Sequence, residues 1–538
     1  MYRVTLTESH FPAQTNETLT ETTVGEALIQ AARRAPDATM LCEALADGHI
    51  GRRWTNAQLL HDSERLARAL ATRFAPGERI AVWAPNIPQW VIVEFAAALA
   101  GLTLVTVNPG YQAKELDFVL RQSRSSGLFL TRDFRGNPMA EIAAKVCAEL
   151  PAIRHIVDLE DADALYAADG PARALPKVSP GDPVQIQYTS GTTGFPKGAV
   201  LTHRGIVNNS RLCLARLGVR EGDSFLGMMP MFHTSGCAVS VLGALQTGCT
   251  LYLAKQFDGE TMNALIERER IDMLLGVPTM LIAMLEALAR NPRDMSSIRG
   301  SFSGGAMVPP ELARRIFDTY GVICGIVYGQ TEASPLLSQT FPDDPYEDQT
   351  TTIGQASAHT ELSIRDPATN QVVPIGVQGE ICARGYCVML GYNDDPDATA
   401  KAIDPDGWLH TGDLGTMDAR GYLRITGRVK EMIIRGGENL FPAEIENQML
   451  EHPAIADIAV VGVPDEKWGE IAVCFFRAAP GPAPSRAELV AHCRQGLAAQ
   501  KTPTHWIQVS AFPLTGSGKI QKFVLREKYL AGEFPNRL

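Results

Sequence analysis

Positive charge is scarce in this sequence relative to negative charge. Among its 538 residues, 49 are lysine or arginine and 60 are aspartate or glutamate, which gives a formal net charge of −11. Such a chain repels nucleic acid and anionic lipid on average. We therefore expect no nucleic-acid partner, and a site for a phosphorylated ligand must be a local concentration of hydrogen-bond donors.

Long apolar runs are also lacking. The most apolar stretch, residues 90–107, is interrupted by Glu94 and divided by Gly101, so it is predicted to be a core helix and a strand rather than a membrane span. The first ten residues have no continuous apolar stretch after Arg3 and do not resemble a secretory signal. We expect a cytoplasmic protein without a transmembrane segment.

The ten cysteines are scattered and form no C-x-x-C pair. The two closest, Cys382 and Cys387, have no histidines at metal-binding spacing nearby in the sequence. Reduced thiols explain this pattern better than disulfides or a zinc site.

The length of the chain predicts more than one domain, because single cores stop growing at about 250 to 300 residues. From residue 79 to 107 the order is strand, turn, helix and apolar strand, which is a β-α-β unit with parallel pairing. Apolar strands recur next to helical stretches at residues 248–253, 273–277 and 322–327. The bulk of the chain is predicted to be α/β.

The pattern changes after about residue 350 to short strands separated by tight turns, which predicts a small, mostly antiparallel β subdomain. Beyond Lys430 the chain has its own elements: a helix that Pro442 opens, the buried strand I-A-V-V-G-V, and a helix capped by Ser485 and Glu488. We therefore predict an N-terminal domain of residues 1–429 and a C-terminal domain of residues 430–538.

The segment Y-T-S-G-T-T-G-F-P-K-G at residues 188–198 carries the strongest chemical signal. Its glycines let successive backbone N–H groups turn toward one anion, its hydroxyls add donors, and Lys197 adds charge. It is not a P-loop, because Lys197 is followed by Gly198 rather than by serine or threonine. We predict a phosphate-binding loop, with a plain surface turn as the alternative. Its predicted contacts are Thr189, Ser190, Gly191, Thr192, Thr193, Gly194 and Lys197.

Two further segments follow predicted strands. The glycines of S-G-G-A-M at residues 303–307 can lie flat against a planar ligand. Y-G-Q-T-E at residues 328–332 lies at a strand's carboxyl end, where ligands of open α/β sheets bind. There Tyr328 could stack on a base, Thr331 could bond a phosphate, and Glu332 could hold Mg²⁺. Taken singly, each segment is better explained as a solvated loop.

Three motifs lie in the last quarter of the chain. H-T-G-D-L-G places Asp413 between glycines in a predicted turn, where its carboxylate could accept both ribose hydroxyls or simply cap the turn. G-R-V-K-E-M-I-I-R-G-G-E-N, at residues 427–439, is a basic cluster across the predicted domain boundary. T-G-S-G-K puts Lys519 on a glycine-rich loop, which is suited to carrying a cation to a site built elsewhere.

In this order, these six motifs resemble those of the adenylate-forming (AMP-binding) superfamily, in its acyl-CoA synthetase and fatty-acid–CoA ligase branch. The resemblance covers essentially the whole chain. It implies an α/β fold: a large N-terminal domain of two α/β subdomains and a small β subdomain, followed by a small, mobile α+β C-terminal domain. It also implies ATP, Mg²⁺ and coenzyme A as ligands, and it leaves a homodimer open.

The same resemblance implies a role for each matching residue. Thr189 to Lys197 would hold the triphosphate, Thr331 the α-phosphate and Glu332 the Mg²⁺. The adenine would contact Gly304, Gly305, Ala306 and Tyr328, and the ribose would contact Asp413 and Arg428. Gly329 would also belong to the cofactor-binding residues. Lys430 would be the hinge, and Lys519 would bridge the substrate carboxylate and the α-phosphate. After rotation of the C-terminal domain, the loop around Arg435, Gly436 and Gly437 would receive the pantetheine arm of coenzyme A.

His233, in P-M-F-H-T-S-G, matches the aromatic gate between the thiol tunnel and the acyl pocket. Amino-acid-activating members usually carry an aspartate there, so the resemblance favours a carboxylic acid with an uncharged tail. Residues near Cys237, Val277, Met307 and 334–337 are expected to line the pocket and suit a medium-chain fatty acid or a small organic or aryl acid. The alternatives are an enzyme that loads a carrier-protein phosphopantetheine and a catalytically dead nucleotide-binding regulator.

Overall fold

The structure is a computed structural model. It describes residues 1–171, 173–189, 196–306, 308–436, 438–479, 481–516, 518–534 and 538. All ten cysteines are free and buried, as the scattered spacing predicts.

The strands before residue 300 are β1 (His10–Phe11), β2 (Thr39–Ala44), β3 (Ile50–Thr55), β4 (Arg79–Trp83), β5 (Thr103–Val107), β6 (Gly127–Leu130), β7 (His155–Asp158), β8 (Pro183–Thr189), β9 (Lys197–Thr202), β10 (Ser224–Gly227), β11 (Thr250–Ala254) and β12 (Met273–Gly276). Those from residue 300 onward are β13 (Gly300–Gly304), β14 (Cys324–Gly329), β15 (Leu336–Gln339), β16 (Gln355–Ala356), β17 (Thr360–Arg365), β18 (Gly379–Gly385), β19 (Gly391–Tyr392), β20 (Leu409–Met417), β21 (Leu423–Arg428), β22 (Ile433–Arg435), β23 (Glu438–Leu440), β24 (Ile455–Asp465), β25 (Gly469–Ala478) and β26 (His505–Gln508).

The α-helices are α1 (Val24–Arg34), α2 (Asn56–Arg73), α3 (Pro88–Leu99), α4 (Ala113–Ser123), α5 (Met139–Cys147), α6 (Ala162–Tyr166), α7 (His203–Arg216), α8 (Gly243–Thr247), α9 (Gly259–Glu269), α10 (Pro278–Arg290), α11 (Pro310–Tyr320), α12 (Tyr346–Thr351), α13 (Pro396–Ala402), α14 (Pro442–Leu450), α15 (Arg486–Gly496) and α16 (Lys522–Leu530). A π-helix, Ser235–Leu242, runs directly into α8, and short 3₁₀ turns occur at Thr331–Ala333, Val429–Glu431 and Ala499–Lys501.

The first sheet has the strand order β19-β9-β8-β5-β4-β6-β7. Its strands β4 to β8 are parallel, and β9 and β19 extend it in antiparallel fashion. The predicted β-α-β unit is confirmed, because β4 and β5 pair in parallel and are joined by α3. Helix α3 is apolar on nearly all sides and is accordingly buried. The predicted phosphate loop comes between β8 and β9 in the sequence, and its residues 190–195 lie outside the described residues.

The second sheet has the order β16-β15-β14-β13-β12-β10-β11-β2-β3. Its central strands are parallel, and antiparallel strands close both edges. The residues that follow β13 and β14 therefore emerge together at the carboxyl edge of the sheet, where crossover topologies leave a crevice. This edge carries the S-G-G-A-M and Y-G-Q-T-E segments.

The third sheet, β1-β17-β18-β20-β21, is antiparallel throughout, as the short-strand pattern predicts. One detail of that prediction is wrong: Asp413 lies within β20 rather than in a turn. The preceding Gly412 has a φ of +74°, which deforms the strand locally while Asp413 still pairs with Arg428 of β21. The cross-strand pairing, rather than a turn, positions this carboxylate.

The fourth sheet, β23-β22-β25-β24 with β26 added beside β25, forms the C-terminal part of the chain. Alternation along β24 and β25 gives the sheet two apolar faces. One packs against α14 and α15 around Ile445, Met449 and Trp506, and the other packs against α16 around Leu525 and Tyr529. Ser485 and Glu488 form the predicted capping box of α15. The Val429–Glu431 turn connects the third sheet to this one.

Candidate active site

A cavity of about 2170 Å³ opens where the first three sheets meet the C-terminal part of the chain. The predicted site residues that line it are Thr189, Lys197, His233, Gly304, Gly305, Ala306, Tyr328, Gly329, Thr331, Glu332, Asp413, Arg428, Lys430 and Lys519. Residues distant in sequence are thus brought to one place.

Several predicted residues are not placed in this cavity. Arg435 and Gly436 do not belong to its described lining. Arg435 instead donates to the Thr502 carbonyl at 3.2 Å, and its guanidinium lies 5.6 Å from the centroid of the Trp468 ring. The predicted contacts Ser190, Gly191, Thr192, Thr193, Gly194 and Gly437, and the predicted pocket residue Met307, lie outside the described residues.

The end of β13 provides a flat backbone surface on one side of the cavity. A Cβ atom added at Gly304 would lie 2.2 Å from the carbonyl oxygen of Val327 in the neighbouring strand, so only glycine fits there. Gly305 and Ala306 continue this surface. A planar ring can therefore approach the backbone closely.

Tyr328, Asp413 and Arg428 form one hydrogen-bonded group. The Tyr328 hydroxyl donates to Asp413 Oδ2 at 2.9 Å, and Arg428 Nε donates to Asp413 Oδ1 at 2.7 Å. Burial, together with the charge of Asp413, raises the pKa of Tyr328, so its hydroxyl keeps the proton that it donates. The carboxylate of Asp413, only 5% exposed, is held between a neutral and a cationic donor at the cavity wall.

Glu332 and Lys197 meet around Tyr392. The Tyr392 hydroxyl donates to Glu332 Oε1 at 2.7 Å, and Lys197 Nζ lies 4.9 Å from the centroid of the Tyr392 ring. Burial and the neighbouring Glu332 raise the pKa of Tyr392, which keeps it a donor. Strand β19 brings Tyr392 there because it pairs with β9, the strand that begins at Lys197.

Lys519 enters the cavity from the C-terminal part of the chain. A Cβ atom added at Gly305 would lie 3.6 Å from Lys519 Cε, so the lysine side chain approaches the β13 surface. Lys519 lies on a hairpin whose ends, Leu514 and Ile520, pair in antiparallel fashion. Thr279 Oγ1 donates to the Gly518 carbonyl at 3.1 Å, and Lys519 N donates to Thr515 Oγ1 at 3.0 Å, which fixes this hairpin. Burial and then the charge of Arg428 lower the pKa of Lys519.

His233 precedes the π-helix and lines the same cavity. Burial and then the charge of Lys519 lower the pKa of His233 to about 3, so the ring is neutral near pH 7. The Ser235 backbone N–H donates to Nδ1 at 3.2 Å, which makes Nδ1 an acceptor and places the ring proton on Nε2. The imidazole can therefore offer one N–H donor without a charge.

Only some of the residues that were expected to line the acyl pocket lie at the cavity wall. Val277, Pro335 and Leu336 line the cavity. Cys237 does not belong to the described lining: it is fully buried, and Gln187 Nε2 donates to its sulfur at 3.0 Å. Its position on the first turns of the π-helix directs it into the protein interior. Apolar lining is instead supplied by residues such as Phe232, Val239 and Leu275.

Sequence reasoning missed Tyr392 and Thr279. Tyr392 lies on a two-residue strand, which is too short to show an alternating pattern, and its role depends on pairing with β9. Thr279 contacts Gly518 across 239 positions of sequence. Neither contact has a local signal that could have revealed it.

No helix in the described part of the chain is long and apolar enough to span a membrane.

Comparison with known proteins identifies the family of this chain. The family described as "AMP-binding enzyme" matches residues 28–393, and that described as "AMP-binding enzyme C-terminal domain" matches residues 444–519. The putative acyl-CoA synthetase YngI of Bacillus subtilis (strain 168) is 38% identical, covering 95% of this chain and 97% of that protein. The mitochondrial medium-chain acyl-CoA ligase ACSF2 of Mus musculus is 36% identical, covering 97% of this chain and 89% of that protein.

Solved structures are similar over the same length. A Mycobacterium tuberculosis fatty acyl CoA synthetase is 30% identical with a TM-score of 0.73, covering 95% of this chain and 99% of that one. ATP-bound MatB from Rhodopseudomonas palustris is 27% identical with a TM-score of 0.83, covering 94% of this chain and 99% of that one. The predicted fold class is confirmed, and the chain belongs to the AMP-binding enzyme family, within the acyl-CoA synthetase branch of the adenylate-forming superfamily.

Proposed function

We propose that this enzyme activates a carboxylic acid with ATP to an acyl-adenylate and then transfers the acyl group to coenzyme A. The products are acyl-CoA, AMP and pyrophosphate. The observation that carries the proposal is the meeting of Lys519, from the C-terminal part, with Gly305, Asp413 and Arg428 around one cavity.

In this proposal the nucleoside lies between the β13 surface and the Asp413 group. The adenine lies against Gly304–Ala306, and the ribose hydroxyls donate to Asp413. Asp413 is suited to that task because Tyr328 and Arg428 already fix both of its oxygens. A carboxylate fixed in advance loses little conformational freedom when the ribose binds.

Lys519 is suited to bringing two anions together. A carboxylate that attacks the α-phosphate meets electrostatic repulsion, and an enclosed ammonium group lowers that repulsion because the surrounding dielectric is low. The lowered pKa of Lys519 reflects this enclosure. Binding of two anions would raise the pKa again and keep the lysine charged during the reaction.

The residues around Glu332 fit a magnesium ion. Glu332 offers a carboxylate at the cavity wall, and a hard oxygen donor of this kind, together with substrate phosphates, is what Mg²⁺ prefers. Thr331, which also lines the cavity, offers its hydroxyl to the α-phosphate. When bound, Mg²⁺ would supply positive charge to the phosphate oxygens. Tyr392 holds the Glu332 carboxylate in place through its hydroxyl.

The second half-reaction requires a thiol to reach the acyl carbonyl. His233 is neutral and lies at the cavity wall beside Phe232, so it can turn or donate a hydrogen bond without placing a charge near the thioester. The proposal assigns the Arg435–Gly436 loop to the pantetheine arm after residues 430–538 rotate about Lys430. In the present arrangement that loop lies outside the cavity lining.

The acid substrate is proposed to carry an uncharged tail, because Phe232, Val239, Leu275 and Val277 give that part of the cavity an apolar wall. The name of the ACSF2 relative favours a medium-chain fatty acid. A small organic or aryl acid remains the second choice within the same chemistry.

The test is a panel of carboxylic acids that varies chain length and aromaticity, assayed for acid-dependent ATP–pyrophosphate exchange and for thioester formation. We expect Lys519→Ala to lower the exchange rate by about 10²- to 10³-fold, as loss of a single electrostatic contact to the transition state commonly does. Wild-type exchange in Lys519→Ala would contradict the mechanism. Offering free coenzyme A and a holo-carrier protein side by side identifies the acyl acceptor.

A further inference from the structure

A separate cluster of metal-binding side chains lies beside the Asp413 group. Glu380 and Cys382 are on β18, His410 is on β20, and Cys382 pairs with His410 across the two strands. One donor atom from each of the three residues lies within 4.8 Å of the others. The sequence gives no hint of this cluster, because 28 positions separate the cysteine from the histidine.

The distances in this cluster suit a tetrahedral ion. Cys382 Sγ lies 3.5 Å from His410 Nδ1. Zinc bonds of about 2.3 Å to sulfur and about 2.0 Å to nitrogen, at tetrahedral angles, also place these two atoms about 3.5 Å apart. Glu380 Oε2, now 2.8 Å from the same nitrogen, would need to withdraw only slightly to become the third ligand.

The residues around the cluster support the same geometry. Asp404 Oδ2 lies at ion-pair distance, 3.6 Å, from Nε2 of His410. A small approach would give the carboxylate–histidine hydrogen bond that usually orients a metal-binding histidine. Glu380 Oε1 accepts the Gly412 backbone N–H at 2.9 Å, so Oε2 can bind an ion while that hydrogen bond persists.

An ion can reach the cluster from the cavity, and the ligands can lose the protons that an ion replaces. Glu380 and His410 line the cavity, which gives an ion a path to the buried Cys382. Ion binding would release the thiol proton of Cys382 to solvent, because a coordinated cysteine is deprotonated by the charge of the metal. It would also displace the Nδ1 proton that His410 now donates to Glu380 Oε2, since a metal-binding nitrogen carries no proton.

We propose that Glu380, Cys382 and His410 bind one thiophilic divalent cation of the zinc type, with Asp404 orienting His410. Three protein ligands leave a fourth coordination position open to the cavity. Sulfur and imidazole select a softer ion than the oxygen donors around Glu332 do, so this site is distinct from the proposed magnesium site.

The test uses Co²⁺ as a spectroscopic probe on the full-length protein, reduced with a phosphine that does not chelate metal. We expect one Co²⁺ per chain, with a thiolate-to-cobalt charge-transfer band and tetrahedral visible bands that Zn²⁺ displaces. Cys382→Ser should lose the charge-transfer band. Cys387→Ser is the matched control, because Cys387 is an equally buried thiol whose sulfur lies 3.7 Å from Thr360 Oγ1 and outside the cluster.

A second variant, Asp404→Asn, keeps all three ligands and should weaken Co²⁺ binding about tenfold, as loss of an orienting carboxylate commonly does. Asp404→Asn therefore still tests the proposal if Cys382→Ser does not fold. Absence of a thiolate band in the wild type, or its persistence in Cys382→Ser, would overturn the proposal. Because this readout needs no ATP, acid or coenzyme A, its failure leaves the proposed ligase function untouched.

Discussion

At the scale of single residues, the charge of Lys519 controls the proposed adenylation. Burial and the charge of Arg428 lower its pKa, and the reaction needs the protonated form. Activity should therefore be lost as pH rises through a pKa below the ordinary lysine value of about 10.4. We expect an alkaline limb in the pH profile of kcat/KM for ATP–pyrophosphate exchange, since that parameter reports the free enzyme.

The matched variant is Lys519→Arg, whose guanidinium stays charged throughout this range. Its residual exchange activity should show the alkaline limb displaced to higher pH. If the alkaline limb lies at the same pH in the wild type and in Lys519→Arg, a group other than Lys519 is responsible for it.

Tyr392 gives a second prediction at this scale. Tyr392→Phe removes the hydroxyl that donates to Glu332 at 2.7 Å, and hydrogen bonds to charged groups contribute about 1.5–3 kcal/mol. We expect the Mg²⁺ concentration for half-maximal exchange to rise about tenfold or more, and calorimetry should show weaker ATP binding only when Mg²⁺ is present. Tyr320→Phe is the control, because that buried hydroxyl has no hydrogen-bond partner among the described residues. Equal Mg²⁺ dependence in the two variants would contradict a role for Tyr392 in holding Glu332.

At the scale of elements, the hairpin around Lys519 depends on Gly518. This residue has a φ of +84°, and an added Cβ would lie 3.1 Å from Val277 Cγ2 and 3.2 Å from Thr279 Oγ1. We expect Gly518→Ala to displace the lysine and to lower the adenylation rate about 10²-fold, because small misplacements of a reacting group are costly. Nucleotide binding, measured by calorimetry, should change little.

Gly532→Ala is the matched control for this hairpin. Gly532 has a φ of +76° in the same C-terminal part, with no atom within 4 Å of an added Cβ. Gly532→Ala should lower the free energy of unfolding by about 1 kcal/mol, which is the cost of the strained backbone, and should leave adenylation unchanged. Similar loss of adenylation in both variants would mean that backbone strain, rather than hairpin position, limits the reaction.

The elements also show what the sequence could predict. The β-α-β unit at 79–107 was predictable because its polarity pattern is local and α3 directly connects the paired strands. The position of Asp413 within a strand was not predictable. Its strand is formed by pairing with β21, whereas Gly412 and Gly415 suggest a turn in the sequence. The contacts of Tyr392 and Thr279 depend on partners 60 and 239 positions away, so no local pattern reports them.

At the scale of the whole molecule, the proposed rotation centres on Lys430 in the Val429–Glu431 turn. Proline fixes φ near the value of a 3₁₀ turn, so Lys430→Pro resists a change of φ at this residue, and it also disfavours the helical backbone of the preceding Val429. We expect Lys430→Pro to retain ATP–pyrophosphate exchange and to lose most thioester formation from added acyl-adenylate. Lys430→Ala, which keeps backbone freedom, should retain both half-reactions. Equal loss of both in Lys430→Pro would place the hinge elsewhere.

The position of the Lys519 hairpin has a kinetic consequence. While Gly518 is bonded to Thr279 and the lysine lies against Gly305, the C-terminal part fills one side of the chamber. The thiol of coenzyme A cannot enter this side of the cavity until the Lys519 hairpin moves out of it. Substrates should accordingly bind in a fixed order, and pyrophosphate should leave before coenzyme A binds. Double-reciprocal plots of initial velocity, with ATP varied at several concentrations of coenzyme A, should therefore give parallel rather than intersecting lines.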